Sequence, residues 1–320
     1  MSFITKGDGA DRDGKVNIAL FGPAGIGKTS QLKTLDPKKT LLIDLEAGEV
    51  AITGHPVDRI RVMEVAQKMG VHPWKLAQAI ACLIAGPDPT DEAISPDGIR
   101  TPGPYSVEAY EAYAKQMDPA MFEQYDTLFI DSLTVVSRWS FHYTQRHDPD
   151  AFSEKTGRPD TRGAYGAHGR GVVHWLTTLQ HQRKYNVVVV GILNEIKDDL
   201  GRVTMEPQLT GSMIGKDLPG IFDEVVSMVN LRQEDGTAYR AFICHQDNPY
   251  AVPAKDRSGC LELVEKPHLG ELISKVQGGK RLDNELVTAL PEEATAADEP
   301  VAAGFVPHQV PAAQPAPTQE

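Results

Sequence analysis

The sequence predicts an α/β fold in which a mostly parallel sheet is covered by helices on both faces. Apolar runs short enough to be strands alternate with helical patterns as far as residue 193. The runs are continuously apolar, as expected for strands that are buried on both faces. A glycine-rich segment, GPAGIGKTS, lies between the first apolar run, VNIALF, and a helical pattern. Beyond residue 193, short polar strands and the turns DDLGR and QEDGT predict a C-terminal extension of the sheet by antiparallel hairpins.

The boundaries of the predicted elements follow from where each apolar pattern starts and stops. The predicted strands cover residues 16–21, 40–45, 59–62, 127–130 and 186–193. The predicted helices cover residues 28–35, 73–84, 107–117, 133–146 and 167–184, and a last short helix covers 268–276. One segment, 86–104, interrupts this alternation. It carries five prolines, and we expect it to be an exposed insertion.

One globular domain is predicted over residues 15–280, between a flexible N-terminus at 1–14 and a disordered tail at 281–320. The tail is rich in alanine, proline and glutamate and has little apolar surface to bury. Its residues 288–320 include five acidic residues and no lysine or arginine. The tail is therefore not expected to contribute to the core.

The charge of the chain limits its possible partners. The 320 residues carry a net charge of −12 with a pI near 5.3, which excludes a protein whose whole surface is basic. Any contact with nucleic acid is therefore expected from a local basic strip. No apolar run reaches the length of a membrane span, and the N-terminal residues lack the apolar core of a signal peptide. We expect a soluble, cytoplasmic protein with no membrane partner.

Cysteine and histidine spacing gives no reason to expect a disulfide framework or a transition-metal site. The three cysteines are far apart in the chain and form no C-x-x-C pair. Three histidines fall in one predicted helix at spacings of six and seven, which differ from the i, i+4 spacing of a metal-binding helix. We expect these histidines to be exposed on a packed helix: His168, His174 and His181.

The glycine-rich segment matches the P-loop pattern G-x-x-x-x-G-K-[ST]. Glycines let the backbone curl closely around phosphate oxygens, so that N–H groups and the following helix N-terminus meet the anion. Lys28 is expected to reach the β- and γ-phosphates, and the Thr29 hydroxyl to hold Mg²⁺. The predicted nucleotide-binding residues are Gly22, Pro23, Ala24, Gly25, Ile26, Gly27, Lys28, Thr29 and Ser30.

Two carboxylates are expected to complete an ATP site. Asp131 ends the apolar strand in YDTLFIDSLT, where a Walker B aspartate would help to place Mg²⁺. Glu46 follows the strand in LLIDLEAGEV, and parallel strands deliver such residues to one sheet edge. Glu46 is therefore the candidate for polarising the attacking water. Asp44 is the weaker candidate, because we expect its side chain to lie on another face of the strand.

A polar residue at the end of a further strand is the candidate sensor of the γ-phosphate. The segment VVVVGILNE ends in Asn194 and Glu195, which are expected at the same sheet edge as the P-loop. Asn194 is the predicted sensor. The alternative is that its side chain only caps the end of the strand.

Together these motifs resemble the RecA-type ATPase core, and in particular the single-domain phage ATPases that include Sak-type single-strand annealing proteins. The resemblance covers residues 14–277 and includes the segments GSMIGKDLPGIFDEVV and AKDRSG. It implies a RecA-like P-loop NTPase fold, ATP and Mg²⁺ as cofactors, and Glu46 as the catalytic glutamate. It also implies a homo-oligomer that acts on single-stranded DNA in recombination or annealing, in the host cytoplasm if the protein is phage-encoded.

The resemblance also implies DNA-binding loops and a cation supplied by a neighbouring subunit. By position, the loops correspond to residues 195–206 and 208–220, with Lys197, Arg202 and Lys216 as phosphate contacts. The candidates for the trans-acting cation are Lys216, Lys255 and Arg257. For the last two, an ion pair within the chain is the alternative, since they flank Asp256.

Two other functions remain open from the sequence. A small-molecule P-loop kinase would need an arginine-rich lid, whereas Arg158, Arg162 and Arg170 are scattered through one segment. A non-catalytic, nucleotide-gated loader would bind ATP without turnover and would recruit a single-strand-binding or replication protein through the tail. Phosphate transfer to a nucleoside would establish the kinase, and ATP binding without turnover, with or without single-stranded DNA, would favour the loader.

Overall fold

The computed structural model describes residues 14–94, 99–197, 201, 203–211 and 213–279. The predictions for residues 1–13, for Arg202 and for the tail at 281–320 therefore lie outside the described residues. All described residues belong to one compact unit. Among them, no helix is both long enough and apolar enough to cross a membrane.

Twelve strands and seven α-helices are found in the described part of the chain. The strands are β1 Asn17–Gly22, β2 Thr40–Asp44, β3 Asp58–Arg61, β4 Glu92–Ile94, β5 Arg100–Pro102, β6 Thr127–Asp131, β7 Asn186–Lys197, β8 Val203–Pro207, β9 Glu224–Arg232, β10 Ala238–Ile243, β11 Lys255–Asp256 and β12 Val264–Glu265. The helices are α1 Val62–Met69, α2 Pro73–Ala85, α3 Val107–Ala114, α4 Leu133–His147, α5 Thr161–His181, α6 Met213–Ile221 and α7 Leu269–Gln277. Short 3₁₀ helices cover Thr29–Thr34, Glu49–Ile52, Pro119–Phe122 and Pro149–Ala151.

The main sheet has the order β12-β10-β9-β1-β7-β6-β2-β3, with β8 added to β7 and β11 to β9. The six strands from β9 to β3 are parallel, and β10, β12, β8 and β11 pair antiparallel. Strand β7 lies between the P-loop strand β1 and the strand β6 that ends in Asp131. The predicted α/β fold, a mostly parallel sheet with helices on both faces and antiparallel extensions, is confirmed.

Each face of the sheet has its own apolar core, because side chains alternate along every strand. Ala19 and Phe21 of β1 pack on the face that α2 and α5 cover. Ile18 and Leu20 pack on the opposite face, beneath α7 and the 3₁₀ helix that follows the P-loop. We call this second side the P-loop face. The continuous apolar strands that predicted two covered faces are explained by this arrangement.

Several boundaries differ from the predictions for local reasons. The turn after the P-loop is a 3₁₀ helix over Thr29–Thr34, and it ends where Leu35 takes an extended backbone conformation. Helix α5 begins earlier than predicted, at Thr161, because Asp160 caps it by accepting hydrogen bonds from two backbone N–H groups. The prediction was wrong because the glycines of this segment indicated a loop.

The described residues of the proline-rich segment 86–104 include two short strands. Its strands β4 and β5 pair antiparallel. The Asp91 carboxylate accepts the N–H of Tyr105 at 2.6 Å, and the Tyr105 side chain is fully buried. The insertion is thus anchored to the core at its base.

Candidate nucleotide-binding site

The P-loop leaves the sheet at the carboxyl end of β1, where two glycines are required by geometry. A Cβ on Gly22 would lie 2.8 Å from the carbonyl oxygen of Met228, so that any larger residue would displace β9. Gly27 has a φ of +109°, which residues with a side chain rarely adopt. The backbone therefore has the close curvature that a phosphate-binding loop needs.

Lys28 lies folded back over this loop. Its ammonium group donates to the carbonyl oxygens of Gly22 and Pro23, each at 2.9 Å, and only 8% of the residue is exposed. Burial lowers the pKa of Lys28, and the nearby charges of Asp131 and Glu46 oppose this shift. The Lys28 ammonium group therefore lies at the loop, with carbonyl oxygens as its hydrogen-bond acceptors. Phosphate oxygens can replace these acceptors.

Thr29 and Asp131 face each other across the same edge. The Thr29 hydroxyl donates to the Asp131 carboxylate at 2.5 Å. Burial and the charge of Glu46 raise the pKa of Asp131 to about 6, although the hydrogen bond from Thr29 and the charge of Lys28 act against this rise. A hydroxyl and a carboxylate are the hard oxygen donors that Mg²⁺ prefers, so this pair fits a magnesium ion. The predicted metal residues are therefore brought together.

Glu46 reaches the site through a contact that the sequence did not indicate. The Ser132 hydroxyl donates to Glu46 Oε1, and the Leu45 N–H donates to the Asp131 carbonyl oxygen at 2.7 Å. These bonds join the ends of β2 and β6, which are neighbours in the sheet. Glu46 is exposed to solvent. Ser132, the residue after the Walker B aspartate, thus positions the candidate catalytic glutamate.

Asp44 was ranked below Glu46 because its side chain was expected on another face of the strand, and this reason was wrong. Residues two apart in a strand share a face, and the alternation of β2 places Asp44 on the P-loop face with Leu42. Asp44 Oδ1 accepts the N–H of Glu46 at 3.2 Å and that of Ala47 at 2.8 Å. Asp44 therefore shapes the turn that carries Glu46.

Asn194 lies at the same sheet edge but without a described contact to the P-loop. On β7 it alternates with Val188 and Val190, which belong to the P-loop face. The register pairs Gly22 with Ile192, so Asn194 lies two residues beyond the start of the loop and is exposed. Its sensor role stays a prediction.

The segments predicted as DNA-binding loops form regular structure in their described parts. Lys197 ends β7 in the hairpin with β8, and its ammonium group lies 3.5 Å from the Glu195 carboxylate. Lys216 is exposed on helix α6, which occupies most of the second predicted loop. The expectation of loops was wrong for these described parts, because β7 continues past the sheet edge and the apolar side of α6 is buried. DNA contact by these residues stays a prediction.

Lys255 and Arg257 both have partners within the chain. Lys255 donates to the carbonyl oxygens of Pro219 and Phe222, the latter at 2.8 Å. Arg257 pairs with the Asp223 carboxylate at 2.9 Å and not with the adjacent Asp256. Both cations lie at the start of β9, at the sheet edge opposite the P-loop. Their predicted role as trans-acting cations would require these contacts to break.

A groove beside the N-terminal half of α5 was not predicted as a site. It has a volume of about 420 Å³ and continues into a second cavity of about 530 Å³ through two shared residues. Tyr165 is 42% exposed here, and its ring stacks on Phe141 with centroids 4.5 Å apart. The residues that line this α5 groove are Arg162, Tyr165, Gly166, Gly169, Thr210, Gly211, Met213 and Ile214. It combines an aromatic platform with an exposed arginine.

Comparison with known proteins identifies a family and several distant structures. A family described as an AAA domain matches residues 14–258. The structure of the RadB recombinase is 13% identical, with a TM-score of 0.29, over 74% of this chain and 84% of that one. An ATPase from the type III secretion system of pathogenic bacteria is 13% identical, with a TM-score of 0.31, over 69% of this chain and 54% of that one. The flagellar accessory protein FlaH from Methanocaldococcus jannaschii is 10% identical, with a TM-score of 0.31, over 79% and 90%. Comparison with curated sequences finds no match.

Proposed function

The chain belongs to the AAA domain family, whose match covers most of its length, and from this premise we propose that it binds ATP with Mg²⁺ and hydrolyses ATP. One observation carries the proposal. A P-loop lysine, a hydroxyl–carboxylate pair and a carboxylate held by a serine converge at one sheet edge. Hydrolysis of a phosphoanhydride requires neutralisation of the phosphate charge, binding of the metal and activation of water, and these groups can perform all three.

Each residue has a distinct task in this proposal. Lys28 exchanges its carbonyl partners for phosphate oxygens when ATP binds. Thr29 and Asp131 would hold Mg²⁺, which supplies positive charge to the phosphate oxygens when bound. Glu46 accepts a proton from the attacking water through the oxygen that Ser132 does not engage. Because Ser132 fixes the other oxygen, the carboxylate is held in one orientation toward the water.

Measurement of phosphate release with saturating ATP tests this assignment. We expect Glu46→Gln to keep the ATP affinity of the wild type and to lose roughly 10²- to 10⁴-fold in turnover, as for loss of a general base. The turnover of Ser132→Ala should lie between those of the wild type and Glu46→Gln, because this variant loses only the hydrogen bond that positions Glu46. Lys28→Ala provides the blank. Wild-type turnover in Glu46→Gln would exclude Glu46 from the mechanism, and tight ATP binding without turnover in the wild type would support the non-catalytic loader.

We further propose that single-stranded DNA is the macromolecular partner and that it binds in the α5 groove. Tyr165 supports this assignment, since a base can stack on an exposed ring that Phe141 already holds in place. Arg162 is exposed beside it and has no side-chain partner among the described residues, so it is available to a phosphate. Lys197 and Lys216 remain further candidates for phosphate contact. The chemistry favours binding with little sequence preference, as strand annealing or recombination requires.

Fluorescence anisotropy with a labelled oligo-dT strand tests the DNA proposal. Tyr165→Leu should weaken binding about tenfold or more, because stacking contributes ~1–3 kcal/mol per base. Tyr165→Phe keeps the stacking face and should bind like the wild type, so it is the matched control. Equal affinity of Tyr165→Leu and the wild type would exclude the groove as the DNA site. ATP turnover that rises on addition of the same strand would support the assignment of a DNA-stimulated ATPase.

The resemblance to RecA-type proteins also leads us to propose a homo-oligomer with a cation acting in trans. Of the three candidates, Lys216 is the one without an intramolecular partner in the described part of the chain. It is also exposed on α6, where a neighbouring subunit can approach it. A turnover rate per chain that rises with protein concentration, and that Lys216→Ala abolishes, would support this proposal.

A further inference from the structure

Arg240 lies against the P-loop of its own chain, although it is more than 200 residues away in sequence. A Cβ placed on Gly27 would lie 3.1 Å from Arg240 Nη1 and 3.6 Å from Arg240 Cζ. Gly27 directly precedes Lys28. The guanidinium group therefore lies next to the backbone that the P-loop offers to phosphate.

The register of the C-terminal hairpin explains this position. Strand β9 pairs parallel with β1, so Ser227 lies level with Phe21. Strand β10 returns antiparallel and pairs Phe242 with Met228 and Arg240 with Asn230. Arg240 thus lies two residues beyond the level at which β1 ends. It alternates with Phe242, which is buried on the P-loop face, so its side chain extends on that same face.

The charge of Arg240 is not satisfied within the described part of the chain. The residue is exposed, and no carboxylate or carbonyl oxygen there accepts a hydrogen bond from its guanidinium group. Arg232, on the same face of the hairpin, instead donates to the Gly236 carbonyl oxygen at 3.3 Å. An arginine that is held beside a phosphate-binding loop without an anionic partner is suited to an anion that enters the loop.

We propose that Arg240 is a nucleotide-binding residue that contacts the phosphate chain of ATP in cis. This inference rests on the proposed function and adds a second cation to the site beside Lys28. The planar guanidinium donates two parallel hydrogen bonds to phosphate oxygens, whereas an ammonium group acts as a point charge. The β9–β10 hairpin then becomes part of the nucleotide site and not only an extension of the sheet. The ligand class is a nucleoside polyphosphate.

Calorimetric titration of ATP into the full chain tests this inference. Arg240→Gln should raise the Kd for ATP at least tenfold, and Arg240→Lys should recover only part of the loss. Arg232→Gln is the matched control, because it removes the same charge from the same face about 6–7 Å farther along the hairpin. It should leave the Kd within twofold of the wild type. Arg240 is exposed, so the thermal midpoint of Arg240→Gln should match that of the wild type and show that the variant folds.

Three outcomes would overturn the inference. An unchanged Kd in Arg240→Gln, with wild-type binding that Lys28→Ala abolishes, refutes the role of Arg240 and leaves the proposed function intact. An equal loss in Arg232→Gln and Arg240→Gln would indicate a general effect of charge and not a contact. Absence of ATP binding by the wild type would refute the proposed function together with this inference.

Discussion

Glu224 provides a prediction whose size follows from the structure. It is fully buried at the start of β9, and its two carboxylate oxygens accept the N–H groups of Arg257 at 3.2 Å and Ser258 at 3.1 Å. Burial, together with the neighbouring Asp256, raises the pKa of Glu224 to about 8. Burial also disfavours the charge of Asp256, but hydrogen bonds from Ser258 and the backbone outweigh this effect and lower its pKa. One proton is therefore held by Glu224 while Asp256 stays ionised.

This proton makes the stability of the protein depend on pH. The pKa of Glu224 in the unfolded chain is near 4.5, so between pH 4.5 and about 8 the folded state binds one proton more than the unfolded state. The free energy of unfolding therefore falls as the pH rises through this window, by up to ~1.4 kcal/mol per pH unit. Below pH 4.5 both states are protonated, and the full stability from this group is retained.

The variant Glu224→Gln should remove this dependence, because glutamine stays neutral at every pH. Urea unfolding of both proteins at pH 5, 6, 7 and 8 measures the effect. We expect the stability of the wild type relative to the variant to fall by a few kcal/mol between pH 5 and pH 8, within the ceiling of ~5 kcal/mol that the full window allows. Asp223→Asn is a control at the adjacent carboxylate, because it removes a neighbouring acid and leaves Glu224 in place, so the stability should still fall between pH 5 and pH 8. Parallel curves for the wild type and Glu224→Gln would refute the reasoning.

Two further predictions concern the nucleotide site. Gly22→Ala would place a methyl group 2.8 Å from the Met228 carbonyl oxygen, so we expect a loss of ~1–3 kcal/mol in the free energy of unfolding together with loss of ATP binding. A thermal midpoint equal to that of the wild type would contradict this. Asp131→Asn keeps the shape of the side chain but removes the charge suited to Mg²⁺, so Mg²⁺ should no longer strengthen ATP binding. Titration with Mg²⁺ and with EDTA measures this, and an unchanged gain on adding Mg²⁺ would show that Asp131 is not a metal ligand.

The sheet core and the ends of its strands could be predicted from the sequence because buried parallel strands leave a distinct pattern. A run of apolar residues that stops at a polar one locates the end of a strand, and ends of parallel strands meet at one edge. Lys28, Thr29, Asp131 and Glu46 were brought to the same edge in this way. The prediction of each position required only the local apolar pattern and the rule that such strands are parallel.

The residues that the sequence did not reveal depend on register or on contacts between distant segments. Arg240 lies at the P-loop only because β9 and β10 extend past the end of β1, with Arg240 two residues beyond that end. Ser132 holds Glu46 only because β2 and β6 are neighbours in the sheet. Arg257 pairs with Asp223 and not with the adjacent Asp256, since β11 folds back on β9. Neither strand order nor register is determined by local composition.

Helix α4 connects the proposed ATP site to the rest of the sheet edge. It starts directly after Ser132, and its second residue, Thr134, accepts the N–H of Ile192 through its hydroxyl at 3.1 Å. The Ile192 carbonyl oxygen in turn accepts the N–H of Gln208 at 2.7 Å. The end of β7 and the segment after β8 are thus connected by hydrogen bonds to α4, the helix that follows β6. A displacement of the end of β6 would therefore also affect the end of β7 and the segment after β8.

The same helix continues this connection to the α5 groove. One turn after Thr134, the Ser137 hydroxyl accepts the N–H of Thr210 at 2.9 Å. His168, which is buried and not exposed as predicted, lies 3.0 Å from the Ser140 hydroxyl and 2.8 Å from the Thr210 carbonyl oxygen. Burial lowers the pKa of His168, so the neutral ring donates to Thr210 and accepts from Ser140. Thr210 lines the groove, so a continuous chain of hydrogen bonds joins it to the helix that begins at the ATP site. Because coupling between two binding sites is reciprocal, DNA that tightens ATP binding through this chain must also be bound more tightly when ATP is present.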